Sequence, residues 1–423
     1  MLTQGAPIIV IGGGAAGIIA AWRASTLGAP VLLLERNPRP GIKILISGGG
    51  RCNLTHAGTT EELLSAFRVG ESRFLKPAFH RFTSTDLIRL IEAGGVPTLT
   101  RANGRVFPAR GTARQVMEVL ERLLGGVRLR TGVRVTGIEA SGGAVRGVRC
   151  GEDLLASTHV IVATGGASYP KTGTTGDGYT WLTGLGHAMV TVRPALAPIV
   201  VTPAAPPGWR GIALRGGRLN AIMDGRLIAT ETGDILFTHE GLSGPAVLEI
   251  SRTVAECEGA VRLAWDFYPG REFIALDADL TAMTRDRQGR MIGSVLEEIL
   301  PNRLVPAICE AAGVLPAERC ATLRRDARRA IARLLKAWPL GAVASIPLER
   351  GEVTAGGVAL TEVDPHSMRS RRTRGLYVCG EILDIAGPVG GYNLQAAFST
   401  GFVAGESAAG DWQREFSGGG CCL

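Results

Sequence analysis

The chain has 423 residues, 45% of them hydrophobic and 20% charged, which excludes a disordered or low-complexity polypeptide and suffices for two or three domains with real cores. Its formal net charge of +8 is compatible with an anionic partner, but charge speaks to association and not to fold. No uninterrupted apolar stretch reaches the roughly 18 residues of a membrane span. Met1-Leu2-Thr3-Gln4 places no basic segment before an apolar run, so a cytoplasmic protein without membrane contact is expected.

Residues 7–36 read as strand, glycine turn, helix, strand and acid. Gly12, Gly14 and Gly17 carry the G-x-G-x-x-G spacing. The first glycine permits the tight turn, the second lets backbone approach a pyrophosphate, and the third lets helix pack on strand. Ala15 and Ala16 begin the helix, whose free N–H groups face the phosphates. Glu35, followed by Arg36, stands about 20 residues on, where a carboxylate binds ribose hydroxyls. A plain Gly/Ala-rich turn is the competing reading, and the apolar strands on both sides argue against it.

Residues 37–55 read as a loop holding Lys43 and Ser47-Gly48-Gly49-Gly50-Arg51-Cys52-Asn53. Helical spacing follows over 85–93 and 112–124, and short alternating runs over 127–156 read as a small antiparallel meander. A buried strand then ends at Ala163-Thr164-Gly165-Gly166. Prolines multiply after Arg193, strands with turns at Gly216-Gly217 and Asp224-Gly225 occupy 212–238, and 291–338 is mostly helical. After 345 the nucleotide-domain character returns, ending in Gly380-Glu381 and in Gly390-Gly391, which opens a helix over Asn393, Leu394 and Gln395. The fold class is α/β, a FAD-binding Rossmann-like domain of the glutathione-reductase type with inserted β-rich and helical domains. The expected bounds are 1–190 for its first part, 191–270 for the β-rich insert, 271–344 for the helical insert and 345–423 for the return segment.

These elements point to FAD over NAD, because a simple dehydrogenase needs neither the Ala-Thr-Gly-Gly strand end nor the Gly-Glu return. There is no second G-x-G-x-x-G, so NAD(P)H is expected only as a transient reductant. Eight cysteines and six histidines show no ligand spacing, and no metal is expected. The Cys421-Cys422 tail reads either as a frayed terminus or as a vicinal thiol pair similar to the tail of mercuric reductases.

Residues 46–55, 237–246 and 375–398 resemble a bacterial family of NAD(P)/FAD-dependent flavoproteins. Its members have been labelled aminoacetone oxidase, bile-acid dehydro-reductase and 23S ribosomal RNA dihydrouridine synthase. The resemblance covers nearly the whole chain and is weakest over 260–345. It implies that Gly12, Gly14 and Gly17 hold the pyrophosphate, that Glu35 holds the adenosine ribose and that the Val135 backbone meets adenine. It also implies that Lys43, Ser47, Arg51, Cys52 and Asn53 lie near the flavin, and that Gly380, Glu381 and Asn393 to Gln395 hold the ribityl chain and flavin edge.

Reduction of a uracil C5=C6 bond needs hydride at one carbon and an acid at the other. Cys52 and His239 are the candidate acids, against readings of a buried inert thiol and a loop-satisfying histidine. Residues 320–338 put Arg324, Arg325, Arg328, Arg329, Arg333 and Lys336 on one helix, and Arg369, Arg371, Arg372 and Arg374 form a second basic cluster. Both are read as a solvated face or as a surface for ribosomal RNA. The expected function is NAD(P)H-driven reduction of uridine to dihydrouridine in 23S rRNA. The alternatives are a small-molecule flavin oxidase or ene-reductase and a non-catalytic flavin-bearing RNA-binding protein.

Overall fold

A computed structural model of the protein describes residues 5–417. The Met1-Leu2-Thr3-Gln4 segment and the Cys421-Cys422 tail lie outside them. The chain divides into two compact units, one running up to Arg193 and resuming at Glu352, the other spanning Pro194–Gly351.

The first unit is built on a five-stranded sheet in the order Leu376–Val378, Val160–Val162, Ile8–Ile11, Val31–Leu34, Arg128–Arg130. Each neighbouring pair is parallel. The first four strands are buried at every residue, as expected where helices cover both faces of a parallel sheet. Arg128–Arg130 is the exposed edge, where its two arginines discourage further pairing. This departs from the expected meander over 127–156. Only Gly137–Ser141, Ala144–Cys150 and Asp153–Ala156 form it.

The helix Ala15–Thr26 packs on the long helix Tyr392–Ser417 almost backbone to backbone. A Cβ at Gly401 would lie 2.3 Å from the Ala16 oxygen, and one at Gly405 would lie 2.2 Å from that of Ala20. The i, i+4 glycines thus fit the i, i+4 alanines opposite them. This fixes the glycine turns at the start of both helices relative to each other, although 380 residues separate them in sequence.

Residues 37–55 are not a loop throughout. Ile42–Gly50 is helical at its start and then breaks, with Ser47 extended and Gly48 and Gly49 at φ +56° and +66°. Side chains other than glycine pay for that left-handed run, which is why the three glycines stand there. A small sheet joins Thr55–His56 and Thr98–Thr100 to the two edges of Arg105–Pro108.

The second unit carries an antiparallel sheet of six strands, in the order Val200–Thr202, Trp338–Ser345, Val261–Asp266, Ala213–Met223, Arg226–Phe237, Leu242–Ser243. Gly216-Gly217 makes no turn. It sits inside one long strand where the register slips, and the hairpin turns at Asp224-Gly225. The strand Trp338–Ser345 follows the helices yet pairs in the middle of this sheet, and one apolar core around Trp265, Phe237 and Ile308 serves strands and helices alike. The β-rich and helical inserts therefore form one unit and not two.

Candidate active site

The turn after the first strand is shaped by close approach. Gly12 has φ +102°, and a Cβ on Gly17 would meet the Gly12 oxygen at 1.8 Å. A Cβ on Gly14 would meet nothing within 4 Å, so the space beside that backbone is open. Ala15 and Ala16 are buried in the first turn of the helix. Glu35, 6% exposed, accepts the Gly13 N–H at Oε2 and the Asn37 N–H at Oε1, both at 2.7 Å. Its oxygens therefore sit beside the glycine turn, each with lone pairs remaining. The Val133 N–H donates to the Glu35 carbonyl, which brings buried Val135 to the same end. Arg36 is spent on structure, since Nη1 donates to Thr175 Oγ1 at 2.6 Å and pairs with Asp177 at 3.4 Å.

At the other end Lys43, Ser168, Thr354 and Glu381 form one network. Lys43 Nζ pairs with Glu381 Oε2 at 2.7 Å and donates to Ser168 Oγ at 2.8 Å. Glu381 Oε1 also accepts from Ser168 Oγ at 3.2 Å and from the Thr354 N–H at 2.9 Å. Gly166 must be glycine here, because a Cβ would stand 2.3 Å from Thr354 Oγ1 and 2.9 Å from Glu381 Oε1. Gly380 donates its N–H to Thr400 Oγ1 at 3.0 Å, and Gly165 turns at φ +73° after buried Ala163. The sequence does not single out Ser168 or Thr354, and no local motif marks them.

Several expected contacts go elsewhere. Asn393 fastens the loop before its helix, accepting from the Gly387 N–H and donating to the Gly387 oxygen, both at 2.8 Å. Gln395 is fully buried, accepting from Thr55 Oγ1 at 2.7 Å and donating to Ser399 Oγ at 2.9 Å. Leu394 packs against the core. For a cofactor edge these positions offer the helix start, whose leading N–H groups have no intrahelical acceptor. Gly390 and Gly391 bring the chain there at φ +147° and +95°, and a Cβ on Gly391 would collide with the Thr55 backbone at 2.6 Å.

Cys52 is a core residue, with no exposure and a left-handed φ of +57°. Burial pushes its thiol up to about 12, against the pull of a hydrogen bond with Ser47. It is thus a neutral thiol out of reach of solvent, which fits the inert reading better than the acid one. Ser47 Oγ donates to the Ile44 oxygen at 2.7 Å, Gly50 turns at φ +82°, and Arg51 is exposed. His239 lies in the second unit on the turn before Leu242–Ser243, 67% exposed at the side chain, with Nε2 3.2 Å from Glu240 Oε1.

The basic helix is Arg325–Lys336, and much of its charge is neutralised. Arg328 and Arg329 pair with Asp277 at 3.1 and 3.9 Å, and Lys336 pairs with Asp266 at 2.8 Å. In the second cluster Arg369 pairs with Asp411, Arg371 with Asp364 and Arg372 with Glu362. These arginines close local structure, which reduces the free positive surface expected from sequence. Among the described residues no three His, Cys, Asp or Glu side chains group as a metal site needs, and no helix is long and apolar enough to cross a membrane.

The residues present fit a dinucleotide. The space beside Gly14 is open, and Thr164 Oγ1 and Asn53 Oδ1 are buried with no hydrogen-bond partner. Such orphaned groups cost about 1–3 kcal/mol each unless a ligand satisfies them. Gly12, Gly14 and Glu35 would hold the adenosine and pyrophosphate half. Thr164, Glu381, Asn53 and the helix start at Tyr392 would hold the other half.

Comparison with known proteins agrees with this geometry. Residues 6–407 match the family model described as HI0933-like protein Rossmann domain. A 3-dehydro-bile acid delta(4,6)-reductase of Clostridium scindens is 31% identical over 95% of this chain and 98% of that protein. A ribosomal RNA dihydrouridine synthase of Escherichia coli is 30% identical over 94% of this chain and 96% of that protein. Among solved structures, the FrdA chain of E. coli quinol fumarate reductase shares the fold with a TM-score of 0.52 at 17% identity, covering 98% of this chain and 72% of that one. The chain belongs to the HI0933-like family of flavin-dependent oxidoreductases.

Proposed function

We propose that the protein binds FAD and reduces a carbon–carbon double bond conjugated to a carbonyl, with a uridine of 23S rRNA as substrate and NAD(P)H as transient reductant. One observation carries the reading. Both near-full-length relatives are named for reductions of this kind, one of a steroid and one of uridine. Uracil C5=C6 is conjugated to the C4 carbonyl, so a single site chemistry covers both names. The net charge of +8 and the exposed Arg324, Arg325 and Arg333 favour the nucleic acid. The absence of a second G-x-G-x-x-G supports a nicotinamide that visits and leaves.

FAD, when bound, supplies the hydride chemistry. The chain supplies the cradle. The Gly12–Gly17 turn holds phosphate, Glu35 holds ribose hydroxyls, and Glu381 Oε2, with one printed contact to Lys43, offers a lone pair to a polyol hydroxyl. The test is mass mapping of 23S rRNA from a deletion strain, together with anaerobic treatment of the purified yellow protein with NADH or NADPH. Loss of one dihydrouridine and bleaching of the flavin are expected. An unchanged dihydrouridine level overturns the rRNA substrate. A colourless protein after FAD supplementation overturns the cofactor.

The second reading is a small-molecule ene-reductase, favoured by the steroid reductase at 31% identity. It predicts flavin reoxidation by an unsaturated ketone and none by rRNA.

A further inference from the structure

Reduction of a conjugated double bond needs an acid that substrate can reach, and neither acid expected from sequence fits. Cys52 is fully buried. His239 stands on an exposed turn beside Glu240. The return segment supplies another group. Glu352 immediately precedes the strand Val353–Val358, and in extended chain residues 352 and 354 share a face. That face is already fixed by Thr354, whose Oγ1 accepts the Ala167 and Ser168 N–H groups at 2.9 and 3.1 Å. The Thr354 N–H donates to Glu381. Glu352 is thus directed towards the Lys43–Ser168–Glu381 network, at the end of the cradle assigned above to the half of the cofactor beyond the pyrophosphate.

Two cations act on its carboxylate, Lys43 from the helix Ile42–Gly50 and Arg105 from the strand Arg105–Pro108. Its side chain is reached by solvent. Surrounding protein nevertheless desolvates it enough to raise its pKa above the ordinary glutamate value, against the pull of both cations. Accessibility together with crowding describes the wall of a cleft. A carboxyl that stays protonated further towards neutral pH is suited to give a proton, and the two cations are placed to stabilise the carboxylate left behind. Three groups already hold Glu381, and no hydrogen bond is printed for the Glu352 carboxyl, which leaves it the group able to move a proton.

Resting on the reading above, we infer that Glu352 is the proton donor of the reduction. Its Oε–H gives a proton to one carbon of the double bond, while hydride with its electron pair reaches the other carbon from the reduced flavin. The π bond breaks and two C–H bonds form. The substrate gains two electrons, the flavin is oxidised, and water reprotonates the Glu352 carboxylate.

The test compares two electron acceptors on the anaerobically reduced, flavin-loaded protein. 2-Cyclohexenone must receive a proton on carbon, whereas ferricyanide takes electrons alone. E352Q is expected to slow reoxidation by the enone about 100-fold or more, with ferricyanide unchanged, and E352D is expected to restore part of the rate. A readout that needs no turnover accompanies it. In 13C-glutamate spectra, the carboxyl resonance missing from E352Q is expected to titrate above the ordinary glutamate range. Equal rates of wild type and E352Q with the enone, equal slowing with both acceptors, or titration at or below the ordinary range overturns the assignment. Reoxidation by the enone but not by unmodified 23S rRNA overturns the rRNA substrate and not Glu352. A wild-type protein that neither alkene reoxidises overturns both.

Discussion

Lys43 Nζ and Glu381 Oε2 stand 2.7 Å apart, joining the helix Ile42–Gly50 to the end of the strand Leu376–Val378 across 338 residues of sequence. Both side chains keep some solvent contact, at 25% and 19% exposure, so the pair is worth less than a dry one. Lys43→Met leaves Glu381 with Ser168 and the Thr354 N–H alone. The expected cost is about 1–2 kcal/mol in urea unfolding, with roughly tenfold weaker FAD binding by flavin fluorescence. An unchanged FAD affinity would separate this pair from the cofactor site.

Two glycines of one motif are expected to fail in different ways. Gly17→Ala drives a Cβ to 1.8 Å from the Gly12 oxygen, a backbone atom that cannot swing aside. It should cost at least about 2 kcal/mol and lower the melting temperature. Gly14→Ala meets nothing within 4 Å, and Gly14 already has φ −83°, which alanine accepts. The apo-protein should therefore melt within about 0.5 kcal/mol of wild type while losing FAD, because the methyl fills the space beside the turn. Calorimetry on both apo-proteins, followed by flavin retention, distinguishes the two failures.

How much of this could be read from sequence depends on whether the meaning of a residue is local. The Gly12, Gly14, Gly17 and Glu35 spacing is local, because turn, helix and second strand lie within one β-α-β unit. The partners of Asn393 and Gln395 are not. A polar side chain after a glycine turn reads equally as a ligand contact or a loop fastener, and only folding brings Thr55 and Phe82 to Gln395, 340 and 313 residues away. The basic helix fails for the same reason: its charges are visible in sequence, but Asp277 and Asp266 are distant. Glu352 carries no motif at all. Its character comes from desolvation and from Lys43 and Arg105 on other elements.

Asp411 gives the fold a defined acid sensitivity. Burial raises its pKa, but hydrogen bonds from Arg369 at 2.6 and 2.8 Å and from the buried Tyr377 hydroxyl at 2.5 Å outweigh that, and the net shift is downward. Because the native value lies below the unfolded one, this stabilisation is complete above the ordinary aspartate range and is lost as pH falls through the lowered native value. Asp411→Asn should cost about 1–2 kcal/mol at neutral pH, part of the bonding being solvent-screened. It should also flatten the acid limb of the stability–pH curve measured by urea midpoints. A variant with an acid limb as steep as wild type would move the sensitivity to other carboxylates.

The helix Arg325–Lys336 separates structural charge from available charge. Lys336 holds Asp266, whose side chain is only 7% exposed, and donates to the Tyr268 and Arg271 oxygens at 2.8 and 2.6 Å. Lys336→Met strands that carboxylate and should cost about 2–3 kcal/mol, less than a fully buried pair because Lys336 is partly solvated. Arg324, Arg325 and Arg333 are exposed, and among the described residues no carboxylate partner is printed for them. Arg333 lies 5.9 Å over the Phe273 ring. Replacing all three with serine should leave the urea midpoint within about 0.5 kcal/mol of wild type. If this helix meets the RNA backbone, the slope of log affinity against log salt should fall in magnitude by about two to three, one phosphate contact per arginine. An unchanged slope would mean that the RNA lies elsewhere and that the remaining charge of this helix is only a solvated face.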